Sequence, residues 1–330
     1  EKFGIRKDNL YSDVFLDLIA VPLHLDVFLN IYTDDLKIDE IKSLQDLYSE
    51  LWKQKILDLK SLSPVSTTSK KLSKFIFKVA SKMYELQEIN LDVKLFEDKF
   101  FDEIHYLKSE GILANNDKIE FFHQSFFDYS FARNFINSKK NLTEDILSRH
   151  QGLFIRSKVK QILNYKQGVL HSSYIRDIRE ILVHKNIRFH IKLLVVQQLA
   201  FQEKPSVSEQ DCVEEIIFND EALKSAFAYS VMSKDWLSFY IMRDVYRKDI
   251  EENNRSLQAQ ITRSFRRFTL ADNRSELLEY YASLKNSAIK DELILDYFWQ
   301  VSEIKNELAI TLIKEVFSRT KDYQSQYWYY

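Results

Sequence analysis

Residues 118–136 have the sequence K-I-E-F-F-H-Q-S-F-F-D-Y-S-F-A-R-N-F-I, which decides how the chain is divided. The first four residues alternate between polar and apolar side chains, and this period predicts a half-buried strand. At His123 the period changes, because phenylalanines recur every four residues from Phe127 onward, as on a helix. Gln124 and Ser125 fall in the first turn of that helix, where polar side chains are expected to cap the backbone. Aromatic side chains wrap most of this predicted helix, so neighbouring elements must enclose it.

The composition predicts a soluble, mainly helical protein of two or three units. The chain has 330 residues, of which 45% are hydrophobic and 29% charged, as in globular proteins. It contains only 4 glycines and 3 prolines, so few residues interrupt helices. The net charge of −2 provides no global attraction to nucleic acid or to an anionic membrane, and leaves only a local basic patch open.

Cysteine usage and hydropathy predict a cytoplasmic protein. Cys212 is the only cysteine, so an intrachain disulfide cannot form, and a reducing compartment is expected. No apolar run reaches the ~20 residues of a membrane span, and no signal peptide is recognisable. The sequence starts at Glu1 within an amphipathic pattern, from which we expect a piece of a longer protein.

The order of predicted elements suggests a winged helix in the first half of the chain. Helices are predicted at residues 8–20, 22–32 and 43–59, and Pro22 occupies the first turn of the second, where its missing N–H costs nothing. A Ser/Thr/Pro-rich linker covers residues 61–69. Two further helices, at residues 70–86 and 95–109, precede a hairpin at residues 112–121 with an Asn/Asp turn. Helix, helix and hairpin follow one another in this order in a winged helix.

From residue 141 onward the pattern consists of amphipathic helices joined by short polar connections. Pairs recur at a loose spacing of about 30–45 residues, as in degenerate HEAT-like repeats. Each pair leaves one apolar face uncovered, so the pairs must stack, and a right-handed α-solenoid is the natural result. A compact irregular bundle is the structural alternative.

Three segments carry a resemblance to a known family. F-F-H-Q-S-F-F-D-Y-S-F-A-R at residues 121–133 resembles the segment that closes the winged helix of NACHT-type STAND NTPases, which are multidomain signalling ATPases. A-V-P-L-H-L at residues 20–25 and the Leu47-Tyr48 helix are similar to landmarks of the preceding helical domain. The resemblance implies a mainly α chain with the distal part of a helical domain at residues 1–62, a winged helix at 63–140, and a HEAT-like superhelical domain at 141–330.

The same resemblance implies a function. The chain would be the C-terminal regulatory and sensor fragment of a NACHT-type NTPase, coupling ATP/ADP state to ligand sensing and oligomerisation in antiviral or stress signalling. His123 would contact the β-phosphate of bound ADP, and Pro22 would pack against the adenine. ATP or ADP with Mg²⁺ would be held by an NTPase core upstream in the same chain, and no cofactor is expected in the fragment itself. Expected partners are that core, an unknown protein ligand on the helical repeats, and further copies of the activated protein. One difference stands out, since Phe127-Asp128 replaces the Gln-Glu that is common in the family.

The sequence predicts no catalysis by the fragment itself. It lacks the G-x-x-x-x-G-K-[ST] phosphate loop, a Walker B strand, a G-x-S-x-G motif and histidines or cysteines at metal-ligand spacing. Two basic stretches, Arg263/Arg266/Arg267 and Arg156/Lys158/Lys160, are interpreted as solvated faces. If either is functional, an acidic protein or a nucleic acid is expected on the concave side of the solenoid.

Two other functions remain open. The first is a nucleotide-independent helical-repeat adaptor, in which His123 is a buried structural residue. The second is a DNA-binding winged helix, which the charges disfavour. The helix at residues 95–109, which would face DNA, carries Glu97, Asp98, Asp102 and Glu103 against only two lysines, and phosphates would repel it.

Overall fold

The computed structural model describes residues 12–59, 67–114, 117–153, 155–231, 233, 235–269, 274–301 and 306–319. Within these residues the chain is mainly helical, and its only sheet has two antiparallel strands. The prediction of a mainly α fold is therefore confirmed. By its internal contacts the chain forms two units, residues 1–174 and 175–330. The predicted boundaries at residues 62 and 140 stay predictions.

The first unit contains eight α-helices and both strands among its described residues. The helices are α1 (Asp13–Ile19), α2 (Pro22–Ile31), α3 (Leu44–Trp52), α4 (Ser69–Leu86), α5 (Glu97–Ser109), α6 (Gln124–Asn137), α7 (Leu142–Leu147) and α8 (Ile155–Val169). The strands are β1 (Asn90–Asp92) and β2 (Lys118–Glu120). α3 continues directly into a π-helical turn, Lys53–Leu57.

The sheet differs in one respect from the predicted hairpin. β2 pairs regularly with β1, with Leu91 opposite Ile119. Residues 112–114 pair less regularly with residues 120–122, through one bridge, Leu113–Phe121, and two flanking backbone hydrogen bonds. Gly111 has φ +70°, which ends α5 and turns the chain toward this pairing. The hairpin partner of β2 is thus present but irregular, and the regular partner comes from before α5. The Asn115-Asn116 turn lies outside the described residues.

Aromatic packing around α6 forms the core of the first unit. α6 packs against α3, α4 and α8, and α3 also packs against α2. Phe126 and Tyr129 are buried against Tyr48 and Trp52 of α3, with ring centroids 5.3–6.3 Å apart. Such pairs add about 0.5–1.5 kcal/mol beyond the area that they bury. The predicted enclosure of this helix is confirmed, and α3 joins α2 to α6.

The second unit is entirely helical in its described part. α9 (His171–Val183) spans the boundary between the units, and α10 (Phe189–Ala200), α11 (Val207–Cys212), α12 (Glu221–Ser230), α13 (Asp235–Met242), α14 (Arg247–Glu251), α15 (Gln258–Thr269), α16 (Arg274–Ser283), α17 (Ala288–Gln300) and α18 (Glu307–Arg319) follow. α10 packs on α12, α12 on α15, and α15 on α17. A second aromatic core lies here, around the buried Trp236, Tyr240, Tyr246 and Phe265.

No single helix in the described part of the chain is both long and apolar enough to cross a membrane. α1 and α2 together have the length and apolar composition of a span, but the chain bends by 105° between them.

Candidate functional site

His123 caps the N-terminus of α6 with its ring. The residue is extended (φ −155°, ψ 147°), and its Nδ1 accepts a hydrogen bond from the backbone N–H of Ser125 at 3.1 Å. The first turn of a helix leaves amide groups without intrahelical partners, and an acceptor at this position satisfies one of them. A histidine therefore performs here the role that Asp, Asn or Ser usually has.

This cap fixes the tautomer of the imidazole. Because Nδ1 accepts from a backbone N–H, the proton of the neutral ring is assigned to Nε2. The His123 side chain is exposed, so Nε2–H is presented to solvent at the positive end of the α6 dipole. A fixed donor at a helix N-terminus is an arrangement that favours an anion.

Ser125 connects this exposed ring to the buried core. Its Oγ lies 2.6 Å from His123 Nδ1 and 2.5 Å from the hydroxyl of Tyr48, which is fully buried on α3. Burial raises the pKa of Tyr48 to about 12, against a smaller opposing effect of the Ser125 hydrogen bond. The phenol thus keeps its proton at neutral pH and can donate to Ser125 Oγ. The Ser125 hydroxyl in turn donates to Nδ1, where it shares the single lone pair with the backbone N–H of Ser125. The three side chains, Tyr48, Ser125 and His123, form what we call the α6 relay.

Asp128 lies one turn beyond the relay and carries an unusual proton affinity. Burial raises its pKa to about 6, and Lys160 only partly opposes this shift. Gln161 of α8 donates to its Oδ1 at 2.5 Å. Its carboxyl contributes to the raised pKa of Tyr48, so its charge is felt by the relay. The sequence identified Asp128 only as a departure from the family motif, because burial of its carboxyl by α8 depends on tertiary packing.

Arg133 fixes α6 against α3 and α8. Its Nη1 donates to the hydroxyls of Tyr129 and Tyr165, at 2.8 and 3.4 Å. The guanidinium also stacks over the Trp52 ring, 4.9 Å from its centroid, a cation–π contact that is stronger when desolvated. These contacts hold α6, at whose N-terminus His123 lies, against α3 and α8, and an exposed site keeps its geometry best on a helix supported in this way.

Pro22 begins α2 at its first position, as predicted, and its ring is exposed. Val21 and Leu25, on either side of it, leave 43% and 38% of their surfaces exposed. No hydrogen bond joins Pro22 to His123 within the described residues. What connects them is α3, since α2 and α6 both pack on it. Both predicted site residues are therefore exposed and belong to helices with a common neighbour.

The described residues offer neither a metal site nor a reactive cysteine. The described residues contain no group of three or more His, Cys, Asp or Glu side chains that could hold a metal ion. Cys212 is buried, and burial raises the pKa of its thiol. A buried, protonated thiol is a poor nucleophile.

The predicted basic faces are only partly solvated. Arg263 is exposed and stacks on Tyr229, 4.2 Å from the ring centroid. Arg266 forms a two-point ion pair with Asp296, and the side chain of Arg267 lies outside the described residues. The interpretation of Lys158 as a solvated lysine is wrong, because its side chain is 4% exposed and pairs with Asp145 at 2.6 Å. Aromatic rings of α4 and α6 cover it, which the spacing of the basic residues cannot reveal.

Comparison of the chain with protein-family models, with curated proteins and with solved structures finds no match. The likeness of residues 20–25, 47–48 and 121–133 to NACHT-type proteins is thus a likeness of short motifs. The geometry around those motifs is what can support or oppose a function.

Proposed function

We propose that this chain is the regulatory and sensor region of a NACHT-type STAND NTPase, in which His123 contacts the β-phosphate of ADP held by an upstream core. The single observation that carries the proposal is that His123, an exposed residue at the N-terminus of α6, uses Nδ1 to bind the backbone N–H of Ser125, so that Nε2 is assigned as the donor. Here Nδ1 is bound to the chain, and the opposite edge of the ring is free for a ligand.

The arrangement of α4, β1, α5 and β2 supports a winged helix in the first unit. β2 pairs with β1 on one side and approaches the extended residues 112–114 on the other. It is therefore central, although it comes last of the three segments in the chain. α5 is bent at Phe100 and preceded by a 3₁₀ turn at Val93–Leu95, which gives two helical pieces between β1 and the hairpin. Glu97 and Asp98 are exposed on it. This acidic face favours a domain contact over a DNA phosphate backbone.

Hydrogen bonds between helices of the second unit support the helical-repeat assignment. Side chains of α15, and of Ser256 just before it, bond back to α12 and forward to α17 across sequence separations of 30–36 residues: Ser256–Glu221, Gln260–Ser225, Ser264–Ala228, Thr262–Glu292 and Arg266–Asp296. α10, α12, α15 and α17, which pack in succession, begin at residues 189, 221, 258 and 288. Separations that recur within a range of 30–37 residues are what stacked repeats of similar length produce.

In the proposed mechanism this chain senses the nucleotide but does not hydrolyse it. ADP, with Mg²⁺ in the upstream core, supplies the phosphate charge and the adenine ring. His123 donates from Nε2–H to the β-phosphate, while Pro22, flanked by exposed Val21 and Leu25, provides an apolar surface for the base. The relay couples the imidazole to α3, on which α2 also packs. Loss of the phosphate contact would release α6 and α2 together from the core, allowing oligomerisation, and the repeats would bind the protein ligand that triggers this change.

The test is to measure ADP that copurifies with the protein expressed from its complete gene. His123→Asp keeps a capping acceptor but replaces the donor by a negative charge, so we expect at least about tenfold less retained ADP, as for loss of a charge-assisted bond. The matched control is His184→Asp, since His184 Nδ1 accepts from the backbone N–H of Asn186 at the same 3.1 Å, in the second unit. Equal ADP content in both variants would contradict the proposal.

A second function, a nucleotide-independent helical-repeat adaptor, is favoured by the same ladder of hydrogen bonds in the second unit. It predicts that the wild-type protein retains no ADP. It also predicts that His123→Asp leaves every binding property unchanged, because His123 would then only cap α6.

A further inference from the structure

A small pocket lies beside the C-terminal half of α6, where α4 and α8 approach it. Its volume is about 150 Å³, enough for a tetrahedral oxyanion or for a few water molecules at ~30 Å³ each. Three cationic side chains line it, Lys140, Arg149 and Lys158, together with the polar side chains of Ser81, Asn134 and Ser138. We call this the α6 cationic pocket. It is separate from the relay, which lies at the opposite end of the helix.

Lys158 is the unusual member of the pocket. Its ammonium group, on a side chain that is 4% exposed, has one carboxylate partner, Asp145 at 2.6 Å. The aromatic faces of Tyr84, Phe131 and Phe135 lie 5.2–5.8 Å from Nζ. An ammonium has three N–H donors, and within the described residues no second acceptor reaches this one. Burial therefore lowers the pKa of Lys158; Asp145 opposes this, whereas Arg149 and Lys140 lower it further.

The charges around the pocket do not balance. Asp145 is the buried carboxylate, and it is shared, because Arg149 Nε also lies 3.3 Å from its Oδ1. Glu85 stands at the exposed rim and faces Lys82, 3.4 Å away. The dipole at the C-terminus of α6 attracts a cation, but it acts only over the last turn, so Asp145 is the one carboxylate that balances Lys158 among the described residues. Lys140 adds a further positive charge without a carboxylate partner of its own in the described part of the chain.

We propose that the α6 cationic pocket binds a phosphoryl group, either as free phosphate or as the phosphate of a small organic molecule. Arg149 uses Nε for Asp145 and keeps its two terminal nitrogens, which suit two oxygens of a phosphate. Lys158 donates from the buried side of the pocket, and Lys140 donates from its solvent-exposed side. The anion would accept hydrogen bonds from these cationic side chains and neutralise the excess positive charge.

The experiment is calorimetric titration of the purified 330-residue chain with inorganic phosphate and, separately, with glycerol 3-phosphate, at constant ionic strength. We expect one site per chain, and stronger binding of one of the two ligands identifies the free or the organic phosphate as the source. Lys140→Gln with Arg149→Gln should weaken binding by about tenfold or more, as expected for loss of charge-assisted hydrogen bonds. Both side chains are at the surface and Lys158 keeps Asp145, so the fold is retained.

The matched control is Lys139→Gln, the exposed neighbour of Lys140, which does not line the pocket. It should bind phosphate as the wild type does. Absence of one-site binding in the wild type would overturn the proposal. So would equal weakening by Lys139→Gln, which would indicate attraction to the general surface charge, and so would full binding by the double variant. None of these results depends on whether His123 contacts ADP.

Discussion

The α6 relay predicts that removing the hydroxyl of Ser125 and removing the hydroxyl of Tyr48 destabilise the protein by different amounts. In Ser125→Ala, the hydroxyl of Tyr48 stays fully buried and loses its partner at 2.5 Å. An orphaned buried donor costs about 1–3 kcal/mol. In Tyr48→Phe the donor itself is removed, and Ser125 still bonds to His123 at 2.6 Å, so the cost is only that of a net hydrogen bond, about 0.5–1.5 kcal/mol. Ser125→Ala should therefore be the more destabilising change.

The double variant tests the same reasoning. Once Tyr48→Phe has removed the donor, Ser125→Ala leaves no unpaired donor in the core. The destabilisation of the double variant should therefore be about 1 kcal/mol smaller than the sum of the two single destabilisations. Hydrogen exchange of peptides from α3 and α6 reports the local free energy of opening and is the assay of choice. Ser49→Ala is the matched control on α3, because its partner Tyr129 keeps the Arg133 bond at 2.8 Å. Additive costs, or a larger cost for Tyr48→Phe, would refute the relay.

Two further predictions use the shifted pKa values. Burial raises the pKa of Asp128 to about 6, whereas a carboxyl in the unfolded chain titrates near pH ~3.9. The folded chain therefore binds this proton more tightly than the unfolded chain does. The stabilising contribution of the protonated carboxyl is complete below pH ~4 and is lost as the pH rises through about 6. Asp128→Asn should raise the urea midpoint at pH 7.5 and leave it unchanged at pH 4, and the reverse pattern would show that the carboxylate is stabilised. The buried Cys212 thiol should resist iodoacetamide in the native chain and react fully in urea, as followed by mass spectrometry. Rapid native labelling would contradict its burial.

The sequence predicts helices well where local signals are strong. Pro22 begins α2 and Ser43 caps α3. A proline in the first turn and a serine at the N-cap each favour a helix start through the backbone of their own few residues. The aromatic row after His123 predicts an enclosed helix, and the structure buries Phe126, Tyr129 and Phe135. In these cases the physical cause lies within a few residues of the element that it defines.

What the sequence could not predict depends on contacts between distant segments. β2 takes its regular partner from β1, more than twenty residues away, since register is set by the packed sheet and not by the turn alone. Lys158 belongs to a pattern that predicts a solvated face, yet rings from α4 and α6 cover it. The Tyr48–Ser125 bond joins residues 77 apart in the chain. No local spacing encodes such a contact, although a polar residue in an apolar helix row is a reason to look for one.

The central claim is that His123 and Pro22 face a nucleotide held by an upstream ATPase core. The most direct measurement is to sequence the gene and its transcript through the region that encodes Glu1 and further upstream. The proposal predicts, in the same reading frame, a G-x-x-x-x-G-K-[ST] loop between a strand and a helix, followed by an apolar strand that ends in acidic residues. A reading frame that opens next to Glu1 and contains neither motif would contradict the nucleotide switch and leave the helical-repeat adaptor as the function.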